Sequence, residues 1–377
     1  MRKVIEEFIE HYENQTLEGY SVYDAFNSPL EFILKLNNRY LNIAITQFYK
    51  NFPLNVRRIS LVKKSINPKS LGLALEGAVV NNRNTDFINQ LLWHIKQTRS
   101  SFENWSWGYN WHYYTLRGGS FPKHYPNAIT TYFIAQGLIQ YYSFFPDEEI
   151  ERILNSIEAF FLEDIRRTEY QTGICFSYSP CDEKQIYNAS ALITKFLIDK
   201  NNLFKENKNL NIIENSFSYL ISKQTKDGSW YYGEETNQRW IDSYHTEYIL
   251  ELFETEYSLR SGYSEALCRA EGFYLKNFLL EDKICNYYPL KKYPVNIHSV
   301  ASMIIFLSKY HDYTKAIPII EWTLKHLYNY KKHEFYFSKN RFYTNMNVYH
   351  RWNQSWMYLA LNHFLSKAKE TILLTSD

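Results

Sequence analysis

The sequence predicts an all-α fold: an (α/α)6 toroid, a barrel of six helical hairpins with long aromatic loops at one mouth. Two observations lead to this fold, a repeat of about 55 residues and an alternation of two helix types. A third, the aromatic composition of the loops, places a site at the mouth. Residues 1–377 are expected to form a single toroid domain, in which the N-terminal helices of residues 1–55 pack as part of the ring.

The repeat is visible at six helix starts, where small residues stand among aliphatic residues at helical spacing. Successive starts are separated by 55, 61, 57, 53 and 55 residues, and they lie at Gly72, Asn127, Asn188, His245, His298 and Asn353. Small side chains let neighbouring helices approach closely. We therefore predict that these six segments are the buried inner helices of the ring.

A second and more amphipathic type of helix lies between the inner helices. Apolar residues recur there at i, i+3, i+4 and i+7 with charged residues opposite, as in helices that face water. Examples are Glu148–Leu162, Leu210–Lys223, Ser264–Phe278 and Tyr313–Tyr328. One outer helix, one inner helix and two loops fill a repeat. An open solenoid is the alternative, but its repeats are usually shorter, near 34–47 residues.

Each inner helix from the second onward follows a loop rich in aromatic and polar residues. Because all these loops enter the same end of their helices, a ring brings them together at one mouth. Seven of the nine tryptophans lie in or beside the loops: Trp105, Trp107, Trp111, Trp230, Trp240, Trp352 and Trp356. Aromatic faces stack on sugar rings, so a concave aromatic mouth predicts a sugar or oligosaccharide as the bound partner. The alternative is that these tryptophans only fill the ring.

The predicted substrate-binding residues combine these aromatic side chains with cations and amides that bind hydroxyls and carboxylates. They are Trp107, Trp111, Arg117, Tyr187, Asn188, Trp230, Arg239, Trp240, Arg341, Tyr343, Arg351 and Trp352. An acidic sugar held by Arg239, Arg341 or Arg351 is the expected ligand, with Trp230 and Trp352 as stacking platforms.

Two histidines that begin adjacent inner helices are the first candidates for chemistry. The predicted catalytic residues are His245, Asp242, Tyr244 and His298. A helix N-terminus lowers the pKa of a histidine and keeps it a neutral base. Epimerisation or β-elimination of an acidic sugar needs a base near pH 7, a cation or amide, and often a tyrosine acid. We therefore expect acid–base chemistry by His245 or Asp242.

Other chemistries would use overlapping residues. Hydrolysis of a glycosidic bond needs two carboxylates, and Asp242 could pair with Asp182 or Glu234. Zinc could be held by Asp242, His245 and His298, but no cysteine lies at a matching helix start, so no metal and no cofactor are expected. Terpene cyclisation is disfavoured because neither DxDD nor DDxxD occurs. A non-catalytic role in glycan binding or assembly is the remaining alternative.

The composition argues against several other classes of protein. A net charge of +2 without a run of five like charges is not the pattern of a nucleic-acid-binding chain. No apolar run approaches the ~18 residues of a membrane span, and the N-terminus lacks the apolar stretch of a signal peptide. Four cysteines without a CxxC pair fit reduced thiols. We expect a cytoplasmic protein, and its oligomeric state is left open.

The turn from Gln224 to Trp230, which reads QTKDGSW, resembles the QxxxGxW turn of the terpene cyclase and prenyltransferase toroids. In those proteins the glutamine closes an outer helix and the tryptophan stacks in the turn. The resemblance therefore implies the ring fold and says little about chemistry.

A longer resemblance runs from about Trp105 to the C-terminus. The segments DGSWYYG, RWIDSYHTEYILE, NIHSVASMI and RFYTNMNVYHRWNQSWM resemble a family of bacterial toroid proteins associated with polysaccharide and O-antigen biosynthesis. Some members are labelled δ-aminolevulinate dehydratase, but that enzyme is a TIM barrel and this chain shows no βα alternation. The resemblance implies work on a cell-surface polysaccharide. The ring is also similar to polysaccharide lyases, glucuronyl C5-epimerases and several glycoside hydrolases.

Overall fold

The computed structural model describes residues 1–29, 38–115 and 119–374. Its helices are α1 (Arg2–Glu13), α2 (Arg39–Asn51), α3 (Pro68–Val80), α4 (Thr85–Gln97), α5 (Ala128–Phe144), α6 (Glu148–Ala159), α7 (Tyr187–Phe204), α8 (Leu210–Lys223), α9 (Ser243–Phe253), α10 (Glu256–Arg260), α11 (Ser264–Phe278), α12 (Ile297–Tyr310), α13 (Ile317–Leu327) and α14 (Trp356–Leu374). None of these helices is long and apolar enough to cross a bilayer, a statement that covers the described residues alone.

Six of the helices form a closed inner ring. Helices α3, α5, α7, α9, α12 and α14 each pack against the next one, and α14 packs back against α3. Each begins within about one turn of its predicted start. The (α/α)6 toroid is therefore confirmed, and the contact between α14 and α3 rules out an open solenoid.

Six outer helices back the ring. Helices α4, α6, α8, α11 and α13 pack on the inner helices α3, α5, α7, α9 and α12, and α1 packs on α14. The N-terminal helix thus completes the last hairpin. Helix α2 differs, because it lies against the loop strand β3 (Tyr113–Thr115) at the mouth instead of joining the ring.

Small residues on the inner helices are required by close packing. A Cβ atom on Gly72 of α3 would lie 2.2 Å from the carbonyl oxygen of Phe133 in α5. A Cβ atom on Gly137 of α5 would lie 2.7 Å from the carbonyl oxygen of Gly72. Both distances are far shorter than a van der Waals contact, so these two helices meet backbone to backbone.

The remaining strands are short and pair within the loops. They are β1 (Glu18–Gly19), β2 (Ser65–Ile66), β4 (Gly119–Phe121), β5 (Arg167–Tyr170), β6 (Gly173–Phe176), β7 (Leu279–Leu280), β8 (Ile284–Cys285), β9 (Val295–Asn296), β10 (Tyr328–Asn329), β11 (Glu334–Phe335), β12 (Ser338–Lys339) and β13 (Thr344–Asn345). Strand β12 pairs antiparallel with both β9 and β13. This small sheet ties the loop before α12 to the loop before α14.

The turn after α8 has the structure that its resemblance implied. The side-chain amide of Gln224 donates to the carbonyls of Ala266 (2.9 Å) and Gly228 (3.1 Å). Gly228 has φ +93°, and a Cβ there would lie 2.2 Å from a backbone oxygen. Trp230 Nε1 donates to the carbonyl of Leu220 in the last turn of α8 at 2.7 Å. Glutamine, glycine and tryptophan thus join neighbouring hairpins.

Candidate functional site

A cavity of about 430 Å³ opens at the end of the ring where α7, α9 and α12 begin. Tyrosine dominates its wall, with Tyr23, Tyr109, Tyr113, Tyr178, Tyr232, Tyr244, Tyr248, Tyr287 and Tyr288. The other lining residues are Gln47, Lys50, Lys69, Ile129, Asn188, Trp240, His245, His298, Arg351 and Trp352. The volume is typical of a small-ligand site. Three basic side chains and no carboxylate are found in this lining.

His245 is held by the carboxylate that caps its own helix. Asp242 is the N-cap of α9; its Oδ1 accepts from the backbone N–H of His245 at 3.0 Å, and its Oδ2 lies 2.8 Å from Nδ1 of the same residue. Because a carboxylate accepts, we assign the imidazole proton to Nδ1. Nε2 then carries a lone pair, and it has no hydrogen-bond partner in the described part of the chain. The Asp242 side chain is fully buried, whereas His245 lines the cavity.

His298 lies one helix further round the ring and is packed between aromatic groups. The ring of Tyr244 stacks on it with 4.2 Å between centroids and a 12° interplanar angle. Its Nε2 lies 3.1 Å from the hydroxyl of Tyr248. Burial first, and then Lys69, lowers the pKa of His298 well below its ordinary value, so the imidazole is neutral at pH 7.

Two buried basic side chains at the cavity lack anionic partners. Lys69 Nζ donates to the Tyr248 hydroxyl at 3.1 Å and lies 3.8 Å from the ring centroid of Phe133. The Arg351 guanidinium lies 5.0 Å from the ring centroid of Trp352, and its Nε has no hydrogen-bond partner. Neither residue forms an ion pair with any residue that the structure describes. Burial, and next Arg351, lowers the pKa of Lys69 well below its ordinary value.

Stacking and hydrogen-bonding groups complete the wall. Trp352 is fixed by a 2.9 Å hydrogen bond from Nε1 to Oδ1 of Asn296. It belongs, with Arg351, to a π-helical turn (His350–Ser355) that leads into α14. Trp240 stacks on Tyr232 at 4.7 Å. The Oδ1 of Asn188 is buried without a hydrogen-bond partner, which leaves it available to a ligand hydroxyl.

The structure thus brings seven of the predicted site residues to one cavity, with Asp242 directly behind His245. They are His245, Tyr244, His298, Asn188, Trp240, Arg351 and Trp352. Trp111 supports the wall from behind, since its ring is fully buried and stacks on Tyr109 at 4.7 Å.

Two predicted substrate-binding tryptophans lie elsewhere, and that part of the prediction is corrected. Trp107 is buried, and its Nε1 donates to the carbonyl of Ile95 in the last turn of α4 at 2.9 Å. Trp230 does the same for α8, at the equivalent position two repeats later. Both rings therefore join hairpins and do not face the cavity. Tyr187 is also withdrawn, because its hydroxyl is hydrogen-bonded to Glu234.

Three further predicted binders are exposed residues outside the cavity lining. Arg239, Arg341 and Tyr343 lie on the surface of the loops, and Tyr343 is 46% exposed. Loops of this length can turn their polar residues outward to water, which sequence position does not reveal. Arg117 lies outside the described residues.

The alternative chemistries find less support in this geometry. Asp182 is engaged with its own loop through Ser179, and Glu234 pairs with Lys223 at 3.0 Å. Neither lines the cavity, and no other carboxylate of the described residues does so. Within the described ranges, Asp242, His245 and His298 form no cluster of metal-ligand atoms.

Sequence reasoning missed Lys69 and Tyr248. A signal existed for both, because Lys69 lies three residues before the repeat start at Gly72, just as Asp242 lies three before His245. Tyr248 lies three residues after His245, on the same helix face. The aromatic loops begin only at the second inner helix, so the aromatic pattern did not indicate a site residue on the first.

Comparison with known proteins establishes the fold. No protein-family model matches the chain, and no curated protein matches it. A cellobiose 2-epimerase from Spirochaeta thermophila is 10% identical, with a TM-score of 0.59 over 81% of this chain and 86% of its own. A glycoside hydrolase family 76 mannosidase from Bacteroides thetaiotaomicron is 10% identical, with a TM-score of 0.61 over 81% and 87%. A possible GH105 member from Salmonella enterica is 11% identical, with a TM-score of 0.61 over 97% and 94%.

Proposed function

We propose that this protein is a carbohydrate-active enzyme that removes a proton from the carbon beside the carboxylate of an acidic sugar. Epimerisation or β-elimination follows from that step. The observation that carries the proposal is the oriented pair of Asp242 and His245, whose free Nε2 belongs to a ring that lines the cavity. An imidazole held in one tautomer by a buried carboxylate is a ready general base.

The cavity also supplies what the carbanion needs. Removing the proton moves negative charge onto the sugar carboxylate, and Arg351 is the buried cation that can neutralise it. Lys69 is nearby and forms no ion pair with the described residues, and an anion beside it would stabilise its protonated form. His298 and Tyr248 form a hydrogen-bonded pair that can return a proton to the other face of the sugar.

Sugar recognition is assigned to the wall residues. Trp352 and Trp240 offer stacking faces, and Asn188 offers an unpaired amide oxygen to a hydroxyl. The cellobiose epimerase and the family 76 mannosidase that share the fold are named for sugars, which agrees with this assignment. Biosynthesis or modification of a cell-surface polysaccharide is the proposed setting, and it rests on the resemblance of segments such as RWIDSYHTEYILE.

Hydrogen exchange tests the proposal directly. Oligosaccharides that contain a uronic acid are screened by thermal shift, and those that bind are incubated with enzyme in D₂O while NMR follows the proton at C5. Loss of that signal with an inverted C5 indicates an epimerase, and a new double bond indicates elimination. We expect His245→Asn to slow exchange by about 10²–10⁴-fold, and His94→Asn, on the outer helix α4, to have no effect.

Two results would contradict the proposal. One is a set of acidic sugars that bind tightly and exchange no proton, which would indicate a glycan-binding protein. The other is unchanged exchange in His245→Asn, which would remove the histidine from the base role.

A further inference from the structure

A second group of titratable side chains lies at the far ends of the helices that carry the cavity histidines. Glu254 is the C-cap residue of α9, His311 is the C-cap residue of α12, and Glu271 lies on α11. His311 Nε2 lies 2.9 Å from an oxygen of Glu271 and 3.9 Å from an oxygen of Glu254. One donor atom from each residue lies within 4.8 Å of the other two.

The electrostatics of this group is unbalanced. Two carboxylates stand beside the C-terminal ends of α9 and α12, where the helix dipoles add negative potential. In the described ranges, neither carboxylate pairs with a lysine or arginine. Lys309, a neighbour on α12, is already bound to Glu251 at 2.8 Å. Apart from His311, whose imidazole can carry a proton, the described part of the chain brings no cation to these two carboxylates.

Glu254 points most directly to a missing ligand. Its side chain is only 10% exposed, and its Oε1 is buried without a hydrogen-bond partner among the described residues. A buried acceptor beside a second carboxylate is costly unless a proton or a metal ion lies between them.

We propose that Glu254, Glu271 and His311 bind a divalent transition metal ion, with Zn²⁺ as the fitting ion. Tetrahedral zinc with nitrogen and oxygen ligands near 2.0–2.2 Å places its ligand atoms about 3.4 Å apart. The observed separations of 2.9 and 3.9 Å bracket that value. An imidazole among the ligands favours zinc over magnesium or calcium.

The ion would act as a clamp on the ring. Helices α9 and α12 carry His245 and His298 at their N-termini, and their C-termini would share one ion with α11. His311 is 27% exposed, which leaves a path for the ion and room for a water as the fourth ligand. This inference is independent of the proposed reaction.

Zinc binding by the full-length protein tests the inference. Protein stripped with a chelator is titrated with ZnCl₂ by calorimetry, and Tm is measured with and without zinc. We expect one zinc per chain and a zinc-dependent rise in Tm. Glu254→Gln should weaken binding by more than about tenfold, since even outer-shell partners of a metal contribute that much, and should abolish the rise in Tm.

A matched control separates this site from adventitious zinc. Glu256→Gln removes the same charge two residues away, from an exposed carboxylate that pairs with Arg260, and should bind zinc like the wild type. His311→Asn should behave like Glu254→Gln. The inference fails if no zinc is taken up, or if zinc binds Glu254→Gln as tightly as the wild type. Either result would mean that the two carboxylates share a proton instead.

Discussion

Asp242→Asn should keep one of the two hydrogen bonds that Asp242 makes with His245 and remove the other. Asparagine keeps an oxygen for the backbone N–H of His245, now accepted at 3.0 Å, so the cap of α9 survives. Its NH₂ group replaces the oxygen that lies 2.8 Å from Nδ1, and an NH₂ can only donate there. The imidazole proton is therefore forced onto Nε2, and the free lone pair disappears from the cavity.

The expected effects of Asp242→Asn on stability and on activity differ sharply in size. Stability should change by less than about 1 kcal/mol, because asparagine caps a helix as well as aspartate does. Proton exchange on the acidic sugar should fall by about 10²–10⁴-fold, the contribution of a general base. Asp242→Ala should instead affect stability more and the tautomer less. It loses the helix cap at a cost of about 1 kcal/mol and leaves the imidazole without a preferred tautomer.

The tautomer can be read without any substrate. Long-range ¹H–¹⁵N NMR at pH 8 should show the His245 proton on Nδ1 in the wild type and on Nε2 in Asp242→Asn. The same tautomer in both proteins would refute the orienting role of Asp242. A wild-type proton on Nε2 would remove His245 as a base.

Three further predictions concern stability. Gly72→Ala should cost about 1–3 kcal/mol in urea unfolding because its Cβ collides with Phe133, whereas Gly272→Ala, with open space around its Cβ, should stabilise α11 by about 0.5–1 kcal/mol. Burial lowers the pKa of His350 to about 4. Between pH 6.5 and 4 the unfolded chain therefore binds a proton at His350 that the folded chain does not bind. The free energy of unfolding should fall by about 3 kcal/mol over that range. His350→Gln should lack this part of the pH dependence. Trp230→Phe leaves the Leu220 carbonyl unpaired and should cost about 1–3 kcal/mol with sugar exchange unchanged.

The ring could be predicted because it repeats. Gly72 and Gly137 are required where α3 meets α5, and the six helix starts recur in the sequence at intervals of 53–61 residues. The pairing of His245 with Asp242 could also be predicted from the sequence. At the start of a helix, a residue three positions after the N-cap lies beside the capping side chain. The cap depends on residues that are close in the sequence, and the ring on a pattern that repeats along it.

The direction in which a loop side chain points could not be predicted. Trp230 and Trp352 both follow aromatic loops, yet one donates to a carbonyl of α8 and the other lines the cavity. Arg341 and Arg351 are ten residues apart in one loop, and only Arg351 is buried at the site. The orientation of a loop side chain depends on its contacts with other repeats, and the periodicity of the sequence carries no information about those contacts.

The charges below the cavity floor argue for an imidazole base rather than a pair of carboxylic acids. Glu247 lies there in a buried cluster with Glu251 and Lys309. Burial, and next Glu251, raises the pKa of Glu247 well above its ordinary value, which favours the protonated form of this acid. Arg351 and Lys69, the two buried basic side chains of the cavity, then dominate the field at the floor. A sugar carboxylate completes this arrangement, whereas the second carboxylate of a glycosidase, about 5–9.5 Å from the first, would cancel it.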